Sequence, residues 1–77
     1  MTNKEVIKAW MRGNSGKQGG LRTDGEKLYS YNLVIGAIED GEPVIYDYTG
    51  DRSISQTTSR HVNMAVKETG CIRVPAP

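Results

Sequence analysis

The chain has 77 residues, one cysteine, no phenylalanine and a formal net charge of +1. This length allows one domain with a small apolar core, and a lone cysteine excludes an internal disulfide. No apolar run approaches the roughly 18 residues of a membrane-spanning helix, and the N-terminus lacks the apolar segment of a secretory signal peptide. We therefore expect a single domain over residues 1–77, without membrane contact, in the cytoplasm.

The small net charge conceals a segregation along the chain. Residues 1–27 carry six Lys or Arg and three acidic residues, whereas residues 28–51 carry five acidic residues and no basic one. Residues 52–77 carry four Lys or Arg and one acidic residue. Such an asymmetry favours a charged partner, although solubility alone can also produce it.

The first predicted element is an amphipathic helix at about residues 3–12. Thr2 and Glu5 have the spacing of a capping box, and apolar side chains then recur at helical intervals. Gly13 can take the left-handed conformation that ends a helix. Because two to three turns are marginal in isolation, we expect this helix to dock on the rest of the domain through Trp10.

The next segment, residues 13–26, is predicted to be a glycine-rich loop. Its five glycines make ordering entropically costly, so we expect a mobile connector with Leu21 reaching the core. The segment does not match a P-loop, because Met11 stands where the first glycine is needed and Gln18 where Ser or Thr is needed. Nucleotide hydrolysis is not expected, although backbone amides of such a turn could hold a phosphate.

A β-hairpin over residues 28–48 is the predicted centre of the domain. Both of its arms are rich in aromatic and β-branched residues, and Asp40-Gly41 between them is favoured in a type I′ turn, where both residues have positive φ. This turn places Ala37 opposite Val44. The side chains expected on the core face are Leu33, Ile35, Ala37, Val44, Tyr46 and Tyr48, together with Tyr29 and Tyr31.

The remaining chain predicts a second helix and short strands. Residues 52–56 could form a strand, and a helix is expected at about residues 59–69, because hydroxyl residues precede it and Gly70 follows it. Residues 71–74 are expected at a sheet edge and residues 75–77 in a tail. The predicted fold class is α+β: a small antiparallel sheet with two short helices on one face.

The sequence offers no set of catalytic or metal-binding residues. His61 and Cys71 are the sole histidine and cysteine, so a zinc site lacks ligands. His61 has only sequence neighbours as candidate nucleophiles, and we interpret it as a partly exposed polar residue. We expect a protein that is not an enzyme and that needs no cofactor.

Basic residues define the predicted binding surface. Arg60 follows the hydroxyls of Thr57, Thr58 and Ser59, and amides, hydroxyls and a guanidinium at a helix start could hold an anion. Alternatively, the hydroxyls only cap the helix and Arg60 is solvated. Tyrosines on a sheet beside basic residues can stack unpaired bases, although core packing is expected for at least two of the four. The predicted nucleic-acid-binding residues are Arg12, Lys17, Arg22, Lys27 and Arg60.

Two short motifs carry a resemblance to a group of viral proteins. Leu28-Tyr29-Ser30-Tyr31-Asn32 and Thr57-Thr58-Ser59-Arg60-His61 resemble short uncharacterised proteins of tailed bacteriophages. The resemblance includes the opening helix and the glycine-rich segment, and it extends to about Lys67. Since the group has no established activity, it implies no site residue. It implies an origin: a viral protein acting in the cytoplasm of a bacterial host.

Two main hypotheses for the function follow. The first is a small, non-enzymatic phage accessory protein that binds nucleic acid through its basic, glycine-rich flank, by phosphate contacts with little base recognition. The alternative is an inhibitor that binds a bacterial host protein through the acidic hairpin tip or an exposed edge strand. A structural component of the virion is a third hypothesis. The near-neutral charge and the acidic hairpin count against nucleic acid, and basic residues beside flexible glycines favour it.

Overall fold

The computed structural model describes residues 1–48, 56–71 and 73–75. Within these ranges, six strands form one sheet whose spatial order equals the chain order, and two helices pack on it. Neighbouring strands are antiparallel except for the last pair, which is parallel. The elements are α1 (Asn3–Met11), β1 (Ser15–Gln18), β2 (Leu21–Asp24), β3 (Lys27–Ser30), β4 (Leu33–Glu39), β5 (Glu42–Asp47), α2 (Gln56–Thr69) and β6 (Arg73–Pro75). The predicted α+β class is confirmed, but the sheet is larger than expected.

Both helices lie on the same face of the sheet. Trp10 of α1 lies over Gly36 of β4: a Cβ atom on Gly36 would stand 3.0 Å from the indole ring. Ser30 of β3 is bonded to Thr58 and His61 of α2. Gly36 and Ser30 belong to the same face, because Gly36 pairs with Leu28, and Leu28 lies two residues before Ser30 on β3. We call this the helix-bearing face.

The predicted glycine-rich loop at residues 13–26 is wrong as a description of that segment. It forms the hairpin β1–β2, with Gly19 at positive φ (55°) in the turn. Leu21 and Thr23 are buried and alternate with exposed Arg22, so the segment has the period of a half-buried strand. Glycines in a hairpin turn supply the unusual φ values that the turn needs. The predicted burial of Leu21 is confirmed.

The predicted hairpin at residues 28–48 is correct at its tip and wrong in its first arm. Asp40 and Gly41 have φ of 52° and 79°, and Ala37 pairs with Val44 as expected. The first arm, however, is two strands, because the chain turns at Tyr31, which has φ of 57°. β3 and β4 then pair with each other, which adds a strand to the sheet.

The predicted core face of this hairpin needs a correction. The β3–β4 ladder shifts by one residue, which leaves Ile35 as an extra residue on β4. After such a bulge the alternation of the strand is shifted by one residue, so residues expected on one side of the sheet lie on the other. Leu33 and Ile35 therefore lie on the helix-bearing face, as expected, but beyond the bulge Gly36 and its partner Ile45 take that side. The register places four residues on the opposite face, against the prediction: Tyr29, Ala37, Val44 and Tyr46. The burial expected of Ala37 is nevertheless confirmed, and Tyr46 packs against the core, whereas Tyr31 is 54% exposed at the turn.

Two boundaries near the C-terminus also differ from the prediction. Helix α2 begins at Gln56, three residues earlier than expected, so Gln56 is helical and not part of a strand. The rest of the predicted strand at 52–56 lies outside the described residues. Pro75 is the last residue of β6 and pairs with Asp47, so the tail predicted at 75–77 wrongly includes Pro75.

Candidate nucleic-acid interface

The face of the sheet opposite the helices carries three of the predicted basic residues. We call it the open face, because no described helix or strand covers it. Lys17 of β1 pairs with Arg22 of β2, which in turn pairs with Tyr29 of β3. Cross-strand partners share a face, and Lys27 lies two residues before Tyr29 on that same side. These four residues, Lys17, Arg22, Lys27 and Tyr29, form what we call the basic patch.

The cations of the basic patch are available to a ligand. Lys17, Arg22 and Lys27 are all exposed. Among the described residues, none of the three forms an ion pair; the bridges found there join Lys4 to Glu68 and Arg73 to Asp47. Three neighbouring cations that form no ion pair with the described residues therefore give this end of the sheet a positive potential.

Arg22 and Tyr29 form the central contact of the patch. The guanidinium carbon of Arg22 lies 4.1 Å from the centroid of the Tyr29 ring, which is a cation–π geometry. At an exposed site such a contact contributes about 0.5–1 kcal/mol. Tyr29 is half-buried and Arg22 is exposed. The ring thus holds the guanidinium over the sheet and leaves it accessible from solvent.

Asp24 shapes the turn that presents Lys27. Its Oδ1 atom accepts hydrogen bonds from the backbone N–H groups of Lys27 and Glu26, at 2.8 and 3.0 Å. These bonds favour the ionised form and hold the pKa of the Asp24 carboxyl below its ordinary value. The carboxylate is therefore engaged with the turn between β2 and β3, although its charge still reduces the positive potential near Lys27.

The other end of the open face is acidic. Glu39 and Glu42 pair across the tip of β4 and β5 and share the side of Ala37 and Val44. The hydroxyl of Tyr46 donates to Glu39 Oε1 at 3.0 Å, and this bond raises the pKa of the Tyr46 phenol. The open face is thus bipolar, with the basic patch on β1–β3, small or apolar side chains in the middle and carboxylates at the β4–β5 tip.

The two remaining predicted binding residues lie elsewhere. Arg12 caps the C-terminal end of α1 and Arg60 is exposed on α2. Both therefore belong to the layer formed by the two helices, which we call the helix layer. The five residues predicted to form one surface therefore do not do so. Of the two alternatives for Arg60, the anion site lacks the Thr58 hydroxyl, because Thr58 is 4% exposed and accepts a hydrogen bond from Ser30 inside the domain.

His61 is buried, against the expectation of partial exposure. Its Nδ1 atom lies 2.7 Å from Ser30 Oγ, and the two residues are 5% and 0% exposed. Burial lowers the pKa of the imidazole below its ordinary value, so the ring is neutral at pH 7. A serine sealed in this way cannot reach a substrate. The pair therefore joins α2 to β3 and does not form a nucleophile–base site.

Tyr29 is predicted on the core face, but it lies on the open face beside Arg22. The prediction depended on one continuous strand, whereas the chain turns at Tyr31. The signal that identifies the open-face position of Tyr29 is the alternation of Leu28 and Ser30, which are buried, with Tyr29 between them. In the described part of the chain, no group of three His, Cys, Asp or Glu side chains could hold a metal ion. No helix there is long and apolar enough to cross a membrane.

Comparison with known proteins gives one result. Residues 2–76 match the model of a family of unknown function, DUF8033. Searches of curated proteins and of solved structures found no significant match. The match covers both helices and all the strands of the open face.

Proposed function

The chain belongs to the family of unknown function DUF8033, and we propose that it is a non-enzymatic protein that binds nucleic acid through the basic patch. The observation that supports this most is the convergence of Lys17, Arg22 and Lys27 on one exposed sheet surface around Tyr29. Lysine and arginine contacts to phosphates supply most of the affinity of proteins that bind nucleic acid without sequence preference. The three cations lie on three consecutive strands, one on each, so strand pairing brings them together on one face.

The acidic end of the open face orients the ligand. Glu39 and Glu42 repel a phosphate backbone, which is therefore confined to the half of the sheet formed by β1, β2 and β3. Base recognition is not needed for such binding, since phosphate contacts carry no sequence information. In line with the resemblance to phage proteins, we propose that the protein acts as an accessory factor in a bacterial cytoplasm.

Salt dependence of binding tests the proposal. Fluorescence anisotropy with labelled oligonucleotides gives the dissociation constant over a salt series. Each phosphate contact contributes about −0.7 to −0.9 to the slope of log K against log salt. The double variant Lys17→Gln, Arg22→Gln should therefore flatten the slope by nearly two units.

A matched control uses the two predicted residues of the helix layer. The double variant Arg12→Gln, Arg60→Gln removes the same charge from the other side of the domain, and its slope should stay close to that of the parent. Equal losses in the two double variants would indicate a general charge effect and contradict the proposal. Absence of binding at tens of micromolar protein would contradict it as well.

A second candidate function is inhibition of a bacterial host protein through the acidic tip. The observation that favours it is the exposure of Glu39, Asp40 and Glu42 at the end of one hairpin. Under this proposal, capture from bacterial lysate is insensitive to nuclease and yields one stoichiometric protein. Neutralising Glu39 and Glu42 abolishes that capture, whereas the double variant Lys17→Gln, Arg22→Gln still captures the host protein.

A further inference from the structure

We propose that the ligand of the basic patch is single-stranded and that one of its bases stacks on the Arg22–Tyr29 pair. This inference rests on the proposed function and specifies the class of nucleic acid and the way it is bound. Three features carry it: the width of the open face, the arrangement of the stacking pair, and the lysines beside it.

The open face does not fit the groove of a duplex. The major groove is about 12 Å wide and admits a helix or a two-stranded ribbon. Six strands at about 4.8 Å spacing form a much wider surface. The hairpin β1–β2 is not a free ribbon either, because Leu21, Arg22 and Thr23 pair with β3. A duplex could therefore touch this face only through its phosphates, whereas a single strand can present its bases to it.

The Arg22–Tyr29 pair has the composition of a base-stacking platform. Unpaired bases stack on aromatic rings and on arginine guanidinium planes, and both groups are present 4.1 Å apart. Tyr29 lies on a central strand, between the buried residues Leu28 and Ser30, so its backbone is held on both sides. The Arg22–Tyr29 pair therefore loses little conformational freedom when a base stacks on it.

Two lysines stand beside this platform. Lys17 is the cross-strand partner of Arg22, and Lys27 lies two residues from Tyr29, which is about 6.6 Å along the strand. A strand that places one base on the platform brings neighbouring phosphates towards these ammonium groups. The patch thus combines a stacking surface with phosphate contacts, the combination used to bind single strands without sequence preference.

The test separates stacking from charge. Arg22→Lys keeps the positive charge and removes the planar group, and Tyr29→Leu removes the ring. Loss of one stacked base is worth about 1–3 kcal/mol, so Tyr29→Leu should weaken binding of labelled oligothymidylate about 5- to 150-fold. Arg22→Lys should weaken it in the same direction. The slope against salt should not change in either variant, because no phosphate contact is removed. Tyr29→Phe keeps the ring and should bind as the parent does.

The alternative outcomes have distinct meanings. In one outcome, Arg22→Lys and Tyr29→Leu bind like the parent, while the double variant Lys17→Gln, Arg22→Gln binds more weakly. Binding then depends on phosphate contacts alone, which supports the proposed function and contradicts base stacking. A matched duplex that binds as tightly as the single strand would also overturn it. If no oligonucleotide binds, both proposals fall. Circular dichroism and a thermal melt of each variant verify the fold, and Arg22→Lys, at an exposed position, keeps the test valid if Tyr29→Leu unfolds.

Discussion

The Nδ1 atom of His61 lies 2.7 Å from the Oγ atom of Ser30, across the contact between α2 and β3. Ser30 also donates to Thr58 Oγ1 at 3.0 Å, so one serine joins two residues of the helix to the sheet. All three are nearly or fully buried. A buried polar cluster of this kind stabilises one position of the helix, because any other position leaves its polar groups without partners.

The domain should lose stability as the pH falls below neutrality. The pKa of His61 is lowered by burial in the folded state, whereas the unfolded chain titrates near the ordinary value of 6.5. Below that value the unfolded state binds more protons than the folded state, so the free energy of unfolding decreases until the folded pKa is reached. Urea denaturation at pH 7.5, 6.0 and 5.0 measures this loss.

The control for the pH effect is His61→Gln, which cannot titrate in this range. Its stability should be nearly constant between pH 7.5 and 5.0, even if it is lower overall. Glu5 and Asp24 also have lowered pKa values, but they lose their stabilising effect only at more acidic pH. The same pH dependence in His61→Gln and in the parent would show that another group is responsible.

Trp10→Ala should remove much of the stability of the domain. The side chain is fully buried, and its Nε1–H donates to the Glu26 carbonyl oxygen at 2.9 Å. Truncation of a core aromatic costs about 3–5 kcal/mol, close to the whole stability of a small domain. Met11→Ala on the same helix is the control, since Met11 is 42% exposed and should change stability by less than about 1 kcal/mol. Equal melting temperatures for the two variants would contradict this.

Two glycines with positive φ should respond differently to alanine. Gly41 has φ of 79° with no atom within 4 Å of an added Cβ. Gly41→Ala should therefore lower the free energy of unfolding only by the cost of holding alanine in the left-handed conformation, about 1–2 kcal/mol. Gly25 has φ of 97°, and its added Cβ would lie 2.5 Å from the Gly13 carbonyl oxygen. Gly25→Ala must also displace backbone and should cost more. Chemical denaturation of both variants gives the comparison, and a smaller loss for Gly25→Ala would disprove it.

Neutralising the acidic tip should strengthen binding of nucleic acid. Glu42 lies on the open face, so Glu42→Gln removes a charge that repels phosphates bound at the basic patch. Affinity at low salt should rise slightly, and the gain should disappear at high salt as the charge is screened. Glu68→Gln, in the helix layer, is the matched control and should have a smaller effect. Weaker binding by Glu42→Gln would indicate that the tip contacts the ligand directly.

Several local features could be predicted from the sequence because neighbouring residues determine them. The capping box of Thr2 and Glu5 forms with both of its hydrogen bonds, and Gly13 takes positive φ after α1. The turn at Asp40-Gly41 sets the pairing of β4 and β5 as predicted. Burial of Trp10 follows from its place on a short helix that must dock.

The tertiary structure alone decided which residues share a face. The extra residue at Ile35 reverses the alternation of β4, and it exists only because β3 pairs with β4 after the turn at Tyr31. Lys17, Arg22 and Lys27 are close in the chain, but they share a face only because β1, β2 and β3 pair with one another in this register. His61 is buried because α2 packs against Ser30, 31 residues earlier. Composition and local periodicity cannot encode these relations, since each is fixed by contacts between separate strands and helices.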